Sequence, residues 1–126
     1  MLKLNNFLFF LLITFIVGCS SQEEKNVSIL GEDSIELQMI EAYKKGVLAF
    51  EEKNFLKAAD KFNEAELLFP QSDWAPKASL MAAYSYYVDG YNNDSIFQLE
   101  QFIKTYRNDK RIPYAHYLLS MSYYNK

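Results

Sequence analysis

Ala42–Pro70 reads AYKKGVLAFEEKNFLKAADKFNEAELLFP. Gly46 comes first, and Phe50 follows one helical turn later. Asn54-Phe55, Ala58, Phe62, Ala65 and Pro70 complete the pattern. The spacing predicts two short helices joined by a tight turn at Lys53-Asn54, with small residues where they touch. Apolar residues at three- and four-residue steps mark one face of a helix. Pro70 ends the second helix because proline lacks the backbone donor that the next turn needs. A lone hairpin of this size cannot bury both of its apolar faces, so the chain should contain another.

Working outward, the pattern recurs. Asp33 and Glu36 have the spacing of a capping box, which predicts the start of the first helix there. Ile35, Met39, Ile40, Tyr43, Val47 and Phe50 form its apolar stripe. The second stripe is Phe55, Ala58, Ala59, Phe62, Ala65, Leu68 and Phe69. Trp74-Ala75-Pro76 opens a third helix, with Pro76 in its first turn. Asp89-Gly90-Tyr91-Asn92-Asn93 is a turn, and a fourth helix is expected from about Asp94 to Tyr106. Pro113 opens a fifth, carrying Tyr114, Tyr117, Leu118, Met121 and Tyr124. Gly46, Ala83 and Ser120 are 37 residues apart in turn, as are Ala58 and Ser95, and Pro76 and Pro113. A constant period of this length marks helical-hairpin repeats close to the tetratricopeptide class. The expected fold is all-α, a right-handed superhelical stack of about two and a half hairpins over residues 34–126. The third hairpin stops after its first helix. Tyr117, Leu118, Met121 and Tyr124 are then expected to lack a covering neighbour, as in an N-terminal portion of a longer protein.

Residues 1–18 form a separate unit. Lys3 precedes an apolar run, Phe7–Val17, broken only by Thr14. At about 1.5 Å per residue this covers roughly half of a ~30 Å hydrocarbon core, which suits a signal-peptide core better than a membrane span. The run ends Ile16-Val17-Gly18-Cys19, which resembles the bacterial lipobox. The resemblance implies cleavage between Gly18 and Cys19 and acylation of Cys19. Several acyl chains on one residue, at about 0.8 kcal/mol per CH₂, make a firm anchor. Ser20 rather than Asp follows, which by the same resemblance implies sorting to the outer membrane. Residues 19–33 are mostly polar, with Val27, Ile29 and Leu30 the apolar residues after Cys19, and are expected to be a flexible tether.

Composition excludes several function classes. The net charge is −3 and no Lys/Arg run exceeds two, so no nucleic-acid partner is expected. Cys19 is the sole cysteine and His116 the sole histidine, so no disulfide, zinc site or nucleophilic triad is expected. No glycine-rich phosphate loop is present. Glu51-Glu52 and the pair Glu64 and Glu66 are expected on solvated helix faces. No enzyme activity, cofactor or metal is anticipated.

The order of a lipobox, a short tether and these hairpins resembles the BamD (ComL-type) family, lipoproteins of the outer-membrane β-barrel assembly machinery. The residues that carry the resemblance are Ala82-Ala83-Tyr84-Ser85-Tyr86-Tyr87, Phe102-Ile103-Lys104-Thr105-Tyr106, Tyr114-Ala115-His116-Tyr117-Leu118 and Ser122-Tyr123-Tyr124. Arg107 departs from the family's usual proline after Tyr106. The resemblance reaches about the first half of a typical member. It implies a non-enzymatic, lipid-anchored protein on the periplasmic face of the outer membrane. Its implied partners are a barrel protein with POTRA domains, accessory lipoproteins and the C-terminal signal of unfolded outer-membrane proteins. In such stacks the first helix of each hairpin lines the concave face, so Tyr43, Phe50, Tyr84, Tyr87, Tyr117 and Tyr124 are the expected peptide-groove residues, with Val47, Lys77, Leu80 and Met121 beside them. Residues three or four apart cannot be divided between groove and inter-repeat core by periodicity alone. The rival expectation is a general periplasmic scaffold lipoprotein, pilotin-like or cell-wall coordinating.

Overall fold

The computed structural model describes residues 24–126. Helix α1 spans Glu24–Glu51, α2 Phe55–Leu68, α3 Ala75–Val88, α4 Asn92–Thr105 and α5 Ile112–Tyr124. Among the described residues every regular element is a helix, in the tetratricopeptide-like, all-α arrangement that the sequence predicts. From Gly31 to Lys126 these helices pack as one unit. Gly18 and Cys19, with the rest of the expected signal peptide and the first residues of the expected tether, lie outside the described residues.

The start of α1 differs from the sequence expectation. The helix is already formed at Glu24, so Asp33 lies inside it rather than at its cap. Residues 24–33, expected as tether, are helical. A capping pattern favours a helix start without forcing one, because an interior Asp costs less than about 1 kcal/mol against Ala.

The other boundaries follow from local chemistry. Lys53 adopts a left-handed φ of 59° at the turn. Asn54 then caps α2, its side chain accepting from the Lys57 amide at 3.4 Å. That bond supplies one of the donors a helix start leaves unmatched. Pro76 and Pro113 sit in the first turns of α3 and α5. Gly90, at φ 81°, closes the α3–α4 turn. Helix α4 ends at Thr105, before Arg107, just as α2 ends at Leu68, before Pro70. Arg107 therefore does not lengthen the helix.

Burial repeats at the sequence period. Ala58 and Ser95, Phe62 and Leu99, Ala65 and Phe102, Ala78 and Ala115, and Ser85 and Ser122 are all inaccessible. Ser85 and Ser122 each donate to a carbonyl one turn back, Met81 O at 2.8 Å and Leu118 O at 2.9 Å. Ser95 and Ser122 hydroxyls also meet at 3.0 Å, joining α4 to α5 inside the core. The buried face of α1 is Met39, Ala42, Tyr43, Gly46 and Ala49, whereas Ile35 is exposed. Its small residues let α2 approach closely. A Cβ at Gly46 would stand 2.7 Å from the Phe62 ring.

Glu66 corrects another expectation. Glu64 is exposed, as expected. Glu66 instead faces the next repeat, where it accepts from the Tyr106 hydroxyl at 2.7 Å and from Gln98 Nε2 at 3.4 Å. Gln98 also donates to Ser79 Oγ at 3.2 Å. Burial, then the hydrogen bond to Glu66 and its negative charge, push the Tyr106 phenol well above its ordinary range.

Two stability outcomes follow. Gly46→Ala should lower stability by up to about 2 kcal/mol, because overpacking costs about 1–3 and helix propensity returns about 1. Gly31→Ala, with open space around it, should be neutral or slightly stabilising; denaturant unfolding of both variants checks this pair. Tyr106 stays protonated in the folded state to a higher pH than in the unfolded one. Its contribution is therefore complete below about pH 10 and is lost as pH rises beyond that. Tyr106→Phe should cost about 1–2 kcal/mol at neutral pH and make the alkaline decline in melting temperature shallower.

Candidate functional site

The first helices of the hairpins, α1, α3 and α5, share one face, and aromatic side chains dominate it. Tyr43 is nearly buried. Its ring lies 5.2 Å from Phe62 and 5.1 Å, edge-on, from Trp74. Lys77 Nζ lies 4.5 Å from the Trp74 ring centre and 5.1 Å from that of Tyr43. An ammonium at this distance is attracted by the electron-rich ring face. Burial pushes the Tyr43 phenol up, and the charge of Arg111 partly opposes this.

A second aromatic row crosses from α1 to α3. Phe50 packs edge-on against Phe55 at 5.0 Å and stacks on Tyr84 at 5.7 Å. Tyr84 continues the stack to Tyr87 at 6.4 Å. The Tyr87 hydroxyl accepts from Asn125 Nδ2 at 3.1 Å, and Asn92 Nδ2 donates to the Asn125 carbonyl at 2.9 Å. Tyr87 is thus tied to the end of α5. Tyr114 lies 6.2 Å from Tyr117. Burial and the neighbouring Tyr84, Tyr117 and Tyr87 push its phenol up.

Two depressions open on this face, with Lys77 on the border of both. One, of about 450 Å³, has Ile40, Tyr43, Val47, Leu48 and Trp74 in its wall, together with the charged side chains of Lys44, Glu51 and Lys77. The other, of about 420 Å³, is lined by Lys77, Leu80, Met81, Tyr84, Arg111 and Tyr114. Each is mostly apolar with a cation at its edge. Such a site can hold an aromatic side chain against rings while a cation meets a carboxylate.

The structure brings Phe50, Tyr84 and Tyr87 together in one row and sets Tyr43 in another, against Phe62 and Trp74. Tyr43 serves the core and the depression at once, so groove and core are not alternatives there. Tyr117 and Tyr124 are open to solvent, 60% and 85% exposed, and line neither depression. Ser120, the equivalent of Gly46 and Ala83, is also exposed. Trp74, Arg111 and Tyr114 belong to the face, although the apolar stripes did not point to them as groove residues. The period itself carries the signal. Trp74 and Arg111 are 37 apart, as are Lys77 and Tyr114, so both pairs occupy the same places at successive hairpin entrances. Among the described residues no group of His, Cys, Asp and Glu side chains could hold a metal ion, and no helix is long and apolar enough to cross a membrane.

The outer membrane protein assembly factor BamD of Rickettsia prowazekii is 30% identical over 125 residues, covering 98% of this chain and 47% of that protein. The factor of the same name from Xylella fastidiosa strain 9a5c is 27% identical over 118 residues, covering 92% of this chain and 38% of that protein. The chain thus spans less than half the length of these relatives. No solved structure matches significantly. Residues 35–126, nearly the whole helical stack, match the YfiO family, described as outer membrane lipoprotein. The chain belongs to the YfiO family of outer membrane lipoproteins.

Proposed function

We propose that this chain works without catalysis as a subunit of the outer-membrane β-barrel assembly machinery. Cys19 holds it by lipid to the periplasmic face of the outer membrane. The aromatic face of α1, α3 and α5 receives the C-terminal segment of an unfolded barrel protein, and a barrel subunit with POTRA domains and accessory lipoproteins are its assembly partners. Resemblance to assembly factors in other bacteria supports the setting. The observation that carries the binding role is the pair of mostly apolar depressions that share Lys77, with Arg111 in the lining of the second.

The ligand chemistry follows from those groups. An aromatic side chain entering either depression displaces water from apolar walls, and ring–ring contacts add about 0.5–1.5 kcal/mol each. A terminal carboxylate has Lys77 and Arg111 within the same stretch of surface. Arg111 is already oriented, with its amide and Nη1 both donating to Asp109 at 2.8 Å. Tyr hydroxyls along the row can meet the backbone of an extended peptide.

The sole tryptophan, Trp74, lies in the wall of the first depression and provides the assay. A peptide with the sequence of a barrel protein's last strand, ending in Phe with a free carboxylate, should change Trp74 fluorescence saturably. Tyr84→Ala should weaken that binding about tenfold, with the helical circular dichroism retained. Lys77→Gln should reduce the preference for the free acid over the C-terminal amide while leaving the stack folded. Equal affinity of wild type and both variants would remove the groove assignment. Co-purification from membranes separates this reading from a general scaffold role, since only the first brings down a barrel protein with POTRA domains.

A further inference from the structure

The connections after α2 and after α4 are the same loop used twice. Ser72 N donates to Phe69 O at 3.1 Å, and Asp109 N donates to Tyr106 O at 2.9 Å. Ala75 N donates to Ser72 O at 3.2 Å, and Ile112 N donates to Asp109 O at 3.1 Å. In each loop a side-chain oxygen closes the turn. Ser72 Oγ accepts from the Ala75 amide at 3.1 Å, and Asp109 Oδ1 from the Arg111 amide at 2.8 Å. Ser72 and Asp109, and the partners of their backbone bonds, correspond at the 37-residue period, whereas the side-chain bond reaches three residues on in the first loop and two in the second.

Their charges do not correspond. Pro70–Trp74 contains one acid, Asp73, and no base. Arg107–Arg111 contains three bases and one acid, for +2, and Lys104 just before it makes +3 in a chain whose net charge is −3. The first loop holds the same backbone without any cation, so the fold does not require the cations of the second. Asp109 engages Arg111 at 2.8 Å. Lys104, Arg107 and Lys110 are exposed. Arg107 Nε donates to the Lys104 carbonyl at 3.1 Å, which orients the guanidinium at the rim. A polar depression of about 560 Å³ lies there, lined by Lys104, Thr105, Tyr106, Arg107, Asn108 and Asp109. Tyr106, anchored to Glu66, fixes its floor.

We propose that this loop is a docking site for an acidic segment of a partner protein, with a carboxylate seated in the depression that Lys104 and Arg107 line and the exposed Lys110 adding positive charge from the same loop. Charge complementarity sets the ligand class. Two features favour a protein carboxylate over a membrane surface. The loop is pinned at both ends, and a held guanidinium offers planar paired donors that match a carboxylate. From Lys104 to Lys110 it also exposes no large apolar side chain for an acyl boundary. The site uses none of the residues that line the aromatic depressions, so it stands or falls separately from the groove.

The test titrates the purified full chain, in non-ionic detergent, with a fluorescein-labelled, terminally capped hexaglutamate peptide. Wild type should bind saturably and more weakly as salt rises beyond about 0.15 M. Arg107→Gln with Lys110→Gln should weaken binding about tenfold, or about 1.4 kcal/mol. Arg107→Pro, which places there the residue of equivalent position 70, preserves the loop and should weaken binding about threefold to tenfold. Lys53→Gln with Lys57→Gln, an equal charge change at the α1–α2 turn, should leave binding within about twofold. Absence of saturable binding to wild type would overturn the proposal, as would an equal loss in the Lys53/Lys57 variant. So would a loss confined to micelles doped with phosphatidylglycerol, which would assign the loop to lipid headgroups.

Discussion

The Phe62 ring packs against α1 at Gly46, so close that no side chain fits between them. This approach fixes how the first hairpin closes. It brings Ala42 and Ala49 of α1 into the same buried cluster as Ala58 and Ala65 of α2 and Ala78 and Ala82 of α3. Small residues set the spacing and leave room between the helices for Phe62 and Met39. Tyr43 and Phe50 emerge on one side of the crossing, where Trp74 and Tyr84 of the next hairpin meet them. The aromatic face is thus a geometric consequence of alanine- and glycine-rich packing behind it.

The second hairpin repeats that solution with different fillings. Leu99 takes the place of Phe62, and Ala83 that of Gly46. A larger residue on one helix is matched by a smaller one opposite, as close packing demands. Polar groups then join the hairpins in register. Glu66, Gln98, Ser79 and Tyr106 tie α2 to α3 and α4, and Ser95 with Ser122 ties α4 to α5. Every one of these is satisfied, and among the described residues no buried side-chain polar atom lacks a partner. A buried network in that condition specifies one arrangement, because any slip would leave a buried group unpaired.

Helix boundaries were legible wherever a residue has a steric reason to stop or start a helix. Asn54, Pro76 and Pro113 mark three starts, and Pro70 and Gly90 follow two ends. The start of α1 was not legible, since Asp33 and Glu36 offer a cap that the chain does not use. Periodicity puts Tyr43 and Phe50 on α1 and Tyr84 and Tyr87 on α3; Phe50, Tyr84 and Tyr87 stack in one row, while Tyr43 packs on Phe62 and Trp74. It cannot show that Tyr43 both packs on Phe62 and borders a depression, because that depends on which neighbour approaches. Trp74 and Arg111 were missed because they precede the apolar stripes, at helix entrances where no periodicity operates. Glu66 was missed for a related reason, since an acid on a helix surface is solvated unless the next repeat brings a tyrosine to it.

The central claim is that the shared face of α1, α3 and α5, rather than the outer surface of α2 and α4, receives the peptide. Site-specific photocrosslinking addresses it directly. A photoreactive phenylalanine analogue in place of Leu48, Lys77 or Tyr114 reports on the aromatic face. The same analogue in place of Leu67 or Phe97, exposed on α2 and α4, reports on the other helices. With a free-acid barrel C-terminal peptide, the account predicts adducts at the first three positions, suppressed by excess unlabelled peptide. Adducts confined to Leu67 and Phe97, or spread equally over all five, would contradict it.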